Sequence, residues 1–297
     1  MKIVVTSGQP FTDIDALACA VAYAELLRLT KKDAVAILPG PLNKTITEKI
    51  RKWKLNYSTK PYSKNANYIL VDISDPEYFA KFVKPKNIIE IFDHRYGFED
   101  YWKVKLGKNA KIEMVGACVT LIWEEFKKNN KETNISEISA NLLYTAIISN
   151  TLNFQASVTT NRDKKAYKEI FRYTKLPHNW TKTYFMYQDK ETDENIKSAI
   201  INDTKNIDPI IGQLELWDSK TIILRHLKEI EEALLGFGRP NWFLTAPSIS
   251  EGKNYLFTKN PYVKRLLEKT ISAKFDGDIG ETKKLWLRKE ILKELQE

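Results

Sequence analysis

The chain has 297 residues, 43% hydrophobic and 29% charged, with a net charge of +9; this excludes a mostly disordered protein and gives enough length for two cored domains. No apolar run approaches a membrane span and "MKIVVTSGQ" turns polar too soon for a signal peptide, so a cytoplasmic protein without a membrane partner is expected. Lysines and arginines are interspersed with acids, which favours phosphate-bearing small molecules about as much as nucleic acid.

In chain order, "KIVVTSG" predicts a buried strand and "DALACAVAYAELLRLT" a helix with apolar residues at helical spacing. "AVAILPG" predicts a strand closed by Pro-Gly, and "NKTITEKIRKW" a helix capped by Asn43. "NYILVDIS" follows as a strand, "DPEYFAKFV" as a helix with Pro76 in its first turn, and "NIIEIFDH" as a strand. Two apolar helices, "CVTLIWEEFKKNN" and "ISEISANLLYTAIISNTLNF", precede a more polar helix beginning near Asn161. The two cysteines, Cys19 and Cys118, lie inside apolar helical patterns and read as buried free thiols, not as a disulfide or zinc pair.

The periodicity lapses in "LPHNWTKTYFMYQDKETDE", which reads as a linker. Beyond it "IIGQLELWD" predicts a strand, "SKTIILRHLKEIEEALLG" a helix, and "NWFLTAP" and "NYLFT" two segments flanking a turn at Glu251 to Lys253. A basic helix, "KKLWLRKEILKEL", closes the chain, and there is no internal repeat or low-complexity tract. The alternation in the first half predicts an α/β fold: a doubly wound parallel sheet over residues 1–180, with a second, smaller α/β C-terminal domain over residues 190–297. Active groups of such sheets collect at the carboxyl ends of the strands.

Acids stand at several of those ends. Asp13 and Asp15 follow the first strand, Asp72 ends "YILVD", and Asp93 with His94 ends "IIEIFDH". Taken singly, each has a plainer reading: an aspartate after a strand is often a helix N-cap, as Asp75 before Pro76 is expected to be, and a lone histidine is often structural. Together they crowd negative charge onto one sheet edge, and clustered carboxylates repel unless a cation lies among them. A divalent metal site, with one ion or two, is the reading that accounts for the coincidence.

In order, "TDIDA", "LVDIS", "FDHR", "GACVTLIWEEF" and "AIISNTLNF" resemble the motifs of the DHH phosphoesterase superfamily. The closer resemblance is to the branch of manganese-dependent inorganic pyrophosphatases, exopolyphosphatases and prune-type proteins. It runs over essentially the whole chain, with residues 1–180 as the DHH catalytic domain and 190–297 as the associated substrate-binding domain. The resemblance implies that Asp13 binds one metal, Asp15 the other, that Asp72 bridges them, and that His94 ligates the second. It also implies a nucleophilic water shared by the ions and a basic second domain for the phosphate chain. Lys205 in "NDTKNI" and Arg288 with Lys289 in "WLRKEIL" resemble that basic set, although Leu287 stands where the family has a serine. Their plainer reading is a solvated basic face.

The chain departs from the pattern at three places. Gln9 stands where the pyrophosphatases have a histidine, four residues before Asp13, which shifts the expected preference from manganese toward magnesium. Arg95 replaces the second histidine of Asp-His-His, as in the prune-type proteins; it can hold phosphate but cannot donate a proton at neutral pH. Asn150 in "IISNT" stands where the family has a metal-binding aspartate, which implies a weakened second site.

The expectation is a DHH-family phosphohydrolase that uses Mg2+ or Mn2+ to cleave phosphoanhydride bonds of pyrophosphate or short polyphosphate. Asp72, His94 and Arg95 would form its catalytic set, and Arg95, Lys205, Arg288 and Lys289 its phosphate contacts. A degenerate member that binds a polyphosphate or nucleotide with little hydrolysis is the alternative, motivated by Gln9, Arg95 and Asn150. Nucleic acid is not expected as a partner, because no single-strand stacking pattern is present. A homodimer through an edge strand stays open.

Overall fold

A computed structural model describes residues 1–62 and 65–296 of the chain. The first strands read as continuous apolar runs because both of their faces are covered: Val4, Val5, Leu70, Val71, Ile91 and Phe92 have no exposed surface. They are β1 (Lys2–Thr6), β3 (Ala66–Val71) and β4 (Ile88–Asp93), flanked by β2 (Ala34–Ala36) and β5 (Ala110–Ile112) in the order β2-β1-β3-β4-β5, all parallel. Helix α1 (Ile14–Leu29) links β1 to β2 and is buried along nearly its whole length. Such all-round burial requires the Ala-rich, acid-poor composition of "IDALACAVAYAELLRL". After the four-residue α2 (Glu48–Arg51) the chain crosses back to β3 on the other side of β1. Strand order therefore reverses between β1 and β3, and the crevice outside their carboxyl ends is where doubly wound sheets bind ligands.

Helix α3 (Glu99–Leu106) precedes β5; α4 (Val119–Lys128), α5 (Glu137–Asn150) and α6 (Asn161–Ile170) follow it. The capping patterns are explicit, with Asp13, Ser136 and Thr160 as N-caps and a full capping box between Thr160 and Asp163.

The chain divides into two compact units, Met1–Phe154 with Val158–Thr181, and Gln155–Ser157 with Lys182–Glu297. The second contains α7 (Trp180–Glu194, entering from the first unit), α8 (Ile196–Asn202), β6 (Thr204–Lys205), β7 (Ile210–Gln213), α9 (Ser219–Arg225) and α10 (Leu227–Leu235). These are followed by β8 (Trp242–Ser248), β9 (Lys253–Phe257), α11 (Pro261–Ile271), β10 (Lys274–Asp276), β11 (Ile279–Glu281) and α12 (Arg288–Gln296). Its six strands run β10-β11-β9-β8-β7-β6; β7 and β8 are parallel and every other pair is antiparallel.

The structure corrects several local expectations. Residues 176–194 are not a linker throughout: Trp180, Tyr184, Gln188 and Thr192 are buried at four-residue spacing along α7. That stripe mixes aromatic with polar side chains, so hydropathy alone misses it. Asn43 caps no helix; its Oδ1 accepts from the N–H and hydroxyl of Thr45 at 2.9 and 2.7 Å, and Thr47 precedes α2. The segment after Asp75 makes only a 3-10 turn, Pro76–Tyr78, because Phe79 is extended and bridges to Gly8. Helix α5 stops at Asn150, and Leu152, Asn153 and Phe154 all take positive φ. The helix expected over 219–236 breaks at His226, whose Nε2 lies 2.6 Å from Asp193 Oδ1. The final helix starts only at Arg288, because Asn254 fixes both backbone groups of Trp286.

The indole of Trp180 is 3% exposed and donates to Thr145 Oγ1 at 2.9 Å. Trp180→Ala should therefore cost about 3–5 kcal/mol in urea unfolding; a loss below about 1 kcal/mol would return this segment to the status of a loose connection.

Candidate metal centre

Three loops meet above the carboxyl ends of β1, β3 and β4. The loop after β1 carries Gln9 and Asp13, and its Gln9 N–H donates to Tyr78 O at 2.8 Å, which ties it to the loop after β3. Asp72, the first residue past β3, has φ +55°, a left-handed conformation that aspartate tolerates better than branched residues, and its N–H continues the ladder to Phe92 O. At the end of β4, Asp93 Oδ1 accepts from the N–H of His94 at 2.8 Å and of Arg95 at 3.3 Å, while Ser74 donates to Oδ2. Asp93 is thus a clamp that positions its two neighbours.

At the centre lie Asp15, Asp72 and His94, with one ligand atom from each within 4.8 Å of the others. Asp15 has no exposed surface; it accepts from the N–H groups of Cys118 and Val119 at 2.8 and 3.0 Å, at the N-terminus of α4, and from Asn150 Nδ2. The helix N-terminus supplies positive potential to this carboxylate. His94 Nδ1 donates to Val115 O at 3.1 Å, which aims Nε2 at Asp72 Oδ1, 3.3 Å away, and at Asp15 Oδ2, 3.8 Å away. Both approaches miss hydrogen-bond geometry, so Nε2 is buried without a hydrogen-bond partner.

The electrostatics follow from burial. Burial, reinforced by Asp72, pushes the Asp13 carboxyl up to about 6 and the Asp15 carboxyl to about 7. Burial acts on Asp72 in the same sense, but Arg95 and His94 outweigh it and hold that carboxyl below its ordinary value. Burial pulls the imidazole of His94 down, yet Asp72 and Asp15 push it to about 9. Without a cation, the centre is balanced by protons and by Arg95.

An orphaned, buried imidazole nitrogen facing two carboxylates fits a divalent cation: the donors are an imidazole nitrogen and hard oxygens, and Val115 O is the outer partner that fixes the ring. Of the other expected residues, Asp13 lines the same cleft but serves as N-cap of α1, accepting from Ala16 N at 2.9 Å. Arg95 donates from Nη1 to Asp72 Oδ1 and O at 2.7 and 2.8 Å, with its side chain half exposed. Asn150 closes the far side, presenting its NH2 to Asp15. Lys205, Arg288 and Lys289 belong to the second unit. There Lys205 and Lys289 are exposed, and Arg288 is already engaged, with Nη1 on Asp203 O and Nη2 on Asp203 Oδ1 at 2.6 and 2.8 Å.

Sequence reasoning missed the residue that holds the loop before α4. Asp163 is fully buried and accepts from Gly116 N at 2.8 Å, from Thr120 Oγ1 at 2.6 Å and from Thr160. A Cβ on Gly116 would meet Thr151 Cγ2 at 2.7 Å and Asp163 Oδ2 at 3.0 Å. The only local signal was the Thr-x-x-Asp of a capping box, which does not announce a second, distant set of donors.

No family model matches the chain. A protein of Exiguobacterium sp. described as a "probable manganese-dependent inorganic pyrophosphatase" is 29% identical over 175 residues, covering 57% of this chain and 55% of that protein. One of Listeria welshimeri with the same description is 28% identical over 173 residues, 55% and 53% of the two chains. Over a little more than half its length the chain is similar to proteins described as manganese-dependent inorganic pyrophosphatases. It spans about half the length of the curated pyrophosphatases it matches. Among solved structures, a Methanococcus jannaschii protein described as a "putative family II inorganic pyrophosphatase" has TM-score 0.65 at 22% identity, covering 100% of this chain and 98% of that one. An exopolyphosphatase-related protein of Bacteroides fragilis has TM-score 0.54 at 13% identity, covering 99% and 90%. At these identities the structural likenesses establish the fold alone, a parallel five-stranded sheet with a second sheet-containing unit.

The raised carboxyls give a pH prediction for the metal-free protein. A carboxyl raised from 3.8 to about 6 or 7 contributes stability that is complete below 3.8 and is lost as pH rises through those values. His94, raised to about 9, loses its contribution as pH rises from 6.5 through that value. Calorimetry of chelator-treated protein should show Tm falling between about pH 5 and about pH 8, a fall that Asp15→Asn blunts and that excess manganese reverses. A flat or rising profile would mean that these groups do not share a buried site.

Proposed function

We propose that the chain is a divalent-metal-dependent phosphohydrolase that cleaves phosphoanhydride bonds, with inorganic pyrophosphate or short polyphosphate as substrate. The observation that carries this reading is the buried Nε2 of His94, without a hydrogen-bond partner and directed at Asp15 and Asp72 in the switch-point crevice. The names of the curated relatives support it and favour hydrolysis over retention of an uncut polyanion.

In this reading Asp15, Asp72 and His94 would hold one Mg2+ or Mn2+, weakened by the amide of Asn150 beside Asp15, and Asp13 with Gln9 would border the other position, with Asp72 between the two. Divalent cations held there would lower the pKa of a water and neutralise phosphate oxygens, the two contributions that such hydrolysis needs most. The chain's own groups do the rest. Val115 O keeps the Nε2 lone pair of His94 free by binding the other ring nitrogen. Asp72 and Asp93 orient Arg95, whose exposed half is left to grip a phosphate oxygen. Arginine stays charged throughout, so the leaving phosphate takes its proton from solvent and not from this position. Lys205, Arg288 and Lys289 are the proposed phosphate-binding groups of the second unit, where Arg288 is engaged by Asp203.

Orthophosphate release from pyrophosphate and tripolyphosphate with Mn2+, Mg2+ or Co2+ tests the proposal. Asp72→Asn should lower turnover by at least about 100-fold with unchanged circular dichroism; turnover that survives intact rejects the assignment. Asn150→Asp should destabilise the metal-free protein, by setting a second carboxylate against Asp15, and lower the metal concentration needed for half-maximal activity. An unchanged metal requirement would remove Asn150 from the metal centre.

A further inference from the structure

The cleft that holds Asp13, Asp72 and Arg95 has a volume of about 340 Å³, within the range of sites for whole organic ligands. Its border is aromatic. Each of the three loops that bring a charged group to the floor also brings a ring: Phe11 on the loop of Asp13, Tyr78 on the loop of Asp72, and Tyr96 beside Arg95. These rings are 52%, 51% and 60% exposed. Among the described residues, none of the three stacks on another ring, and the hydroxyls of Tyr78 and Tyr96 have no hydrogen-bond partner. Pro10 and Ile73 extend the apolar part of the lining.

An inorganic phosphate chain has no apolar surface and gains nothing from rings around its site. A planar heterocycle tethered to a phosphate chain gains on both counts, because its face stacks on the rings while its phosphates reach the cation-binding floor. We propose that Phe11, Tyr78 and Tyr96 form a base-stacking rim, and that the substrate class is a nucleoside di- or triphosphate. This rests on the hydrolase reading above and narrows it. Water oxygen bonds to the terminal phosphorus, the bond from that phosphorus to the bridging oxygen breaks, the shortened nucleotide leaves with that oxygen, and the proton goes to solvent.

The test separates stacking from hydrolysis. Titration calorimetry with manganese-loaded full-length protein would compare methylenediphosphonate with adenosine 5′-(α,β-methylene)diphosphate, neither of which is cleaved at its methylene bridge. The nucleotide analogue should bind at least about tenfold more tightly. The double variant F11A/Y96A should weaken it by roughly 5- to 150-fold, the range of one stacked base, and leave methylenediphosphonate and pyrophosphate cleavage unchanged. Equal affinities for the two analogues, or equal losses for both in the variant, overturn the rim as a base site. So does a variant that alters the sedimentation of the protein but not nucleotide affinity, which would assign the rings to a contact between copies. Absence of phosphate release from pyrophosphate and from adenosine triphosphate alike, alongside ring-dependent nucleotide binding, would refute the hydrolase reading and retain the rim. Pyrophosphate cleavage without nucleotide preference would do the reverse.

Discussion

The buried carboxylate of Asp15 is the point on which the first unit depends. A carboxylate with no exposure persists only where donors or a cation meet it. Here the donors come from elements far apart in sequence, the backbone of Cys118 and Val119 at the start of α4 and the amide of Asn150 at the end of α5. Asp15 therefore fixes where α4 begins, and the loop just before it carries the Val115 carbonyl that orients His94. Asp163 holds the same loop from the other side, and Gly116 is the residue small enough to lie between Asp163 and Thr151. One buried charge thus joins the packing of three helices to the aim of an imidazole at the sheet edge.

Crowding explains both what the centre binds and how it survives without a cation. Asp13, Asp15, Asp72 and Asp93 lie close enough to raise one another's cost of ionisation, and Arg95 and His94 offset part of it. Relative to an arrangement with aspartate at 150 and a second histidine at 95, this chain carries one negative charge fewer and one fixed positive charge more. The missing carboxylate lies beside Asp15 and the added guanidinium beside Asp72, so both changes lower the attraction of the Asp15, Asp72 and His94 cluster for cations. The thiols of Cys19 and Cys118 lie against this charge and are buried, and burial pushes both thiols up, so they behave as apolar packing.

The second unit is organised around different constraints. Asn254, fully buried, binds Thr245 and both backbone groups of Trp286, and so determines where the last helix can start. Arg288 then meets Asp203, linking α12 to the segment before β6. A basic residue that looks free in the sequence is thereby given a structural partner. The aromatic border of the cleft shows the opposite outcome, since the rings of Phe11, Tyr78 and Tyr96 are left open beside the charged floor.

The sequence by itself determined the parallel sheet and the identity of the ligand candidates, because both are written in short-range pattern. The apolar six-residue strands β3 and β4, closed by Asp72 and by Asp93 with His94, specify buried parallel strands with charge at their carboxyl ends. It also exposed the departures at Gln9, Arg95 and Asn150, which need only a position in a motif. Tertiary structure alone decided which acids act together. Asp13 and Asp15 are two residues apart, yet one caps its own helix and the other reaches residues more than 100 positions away, a choice made by helical geometry and invisible to spacing. The roles of Val115, Asp163 and Asp203, the aromatic stripe of α7 and the breaks at His226 and Arg288 were likewise settled by long-range hydrogen bonds and burial. Local propensity carries no record of partners that the chain brings close only when it folds.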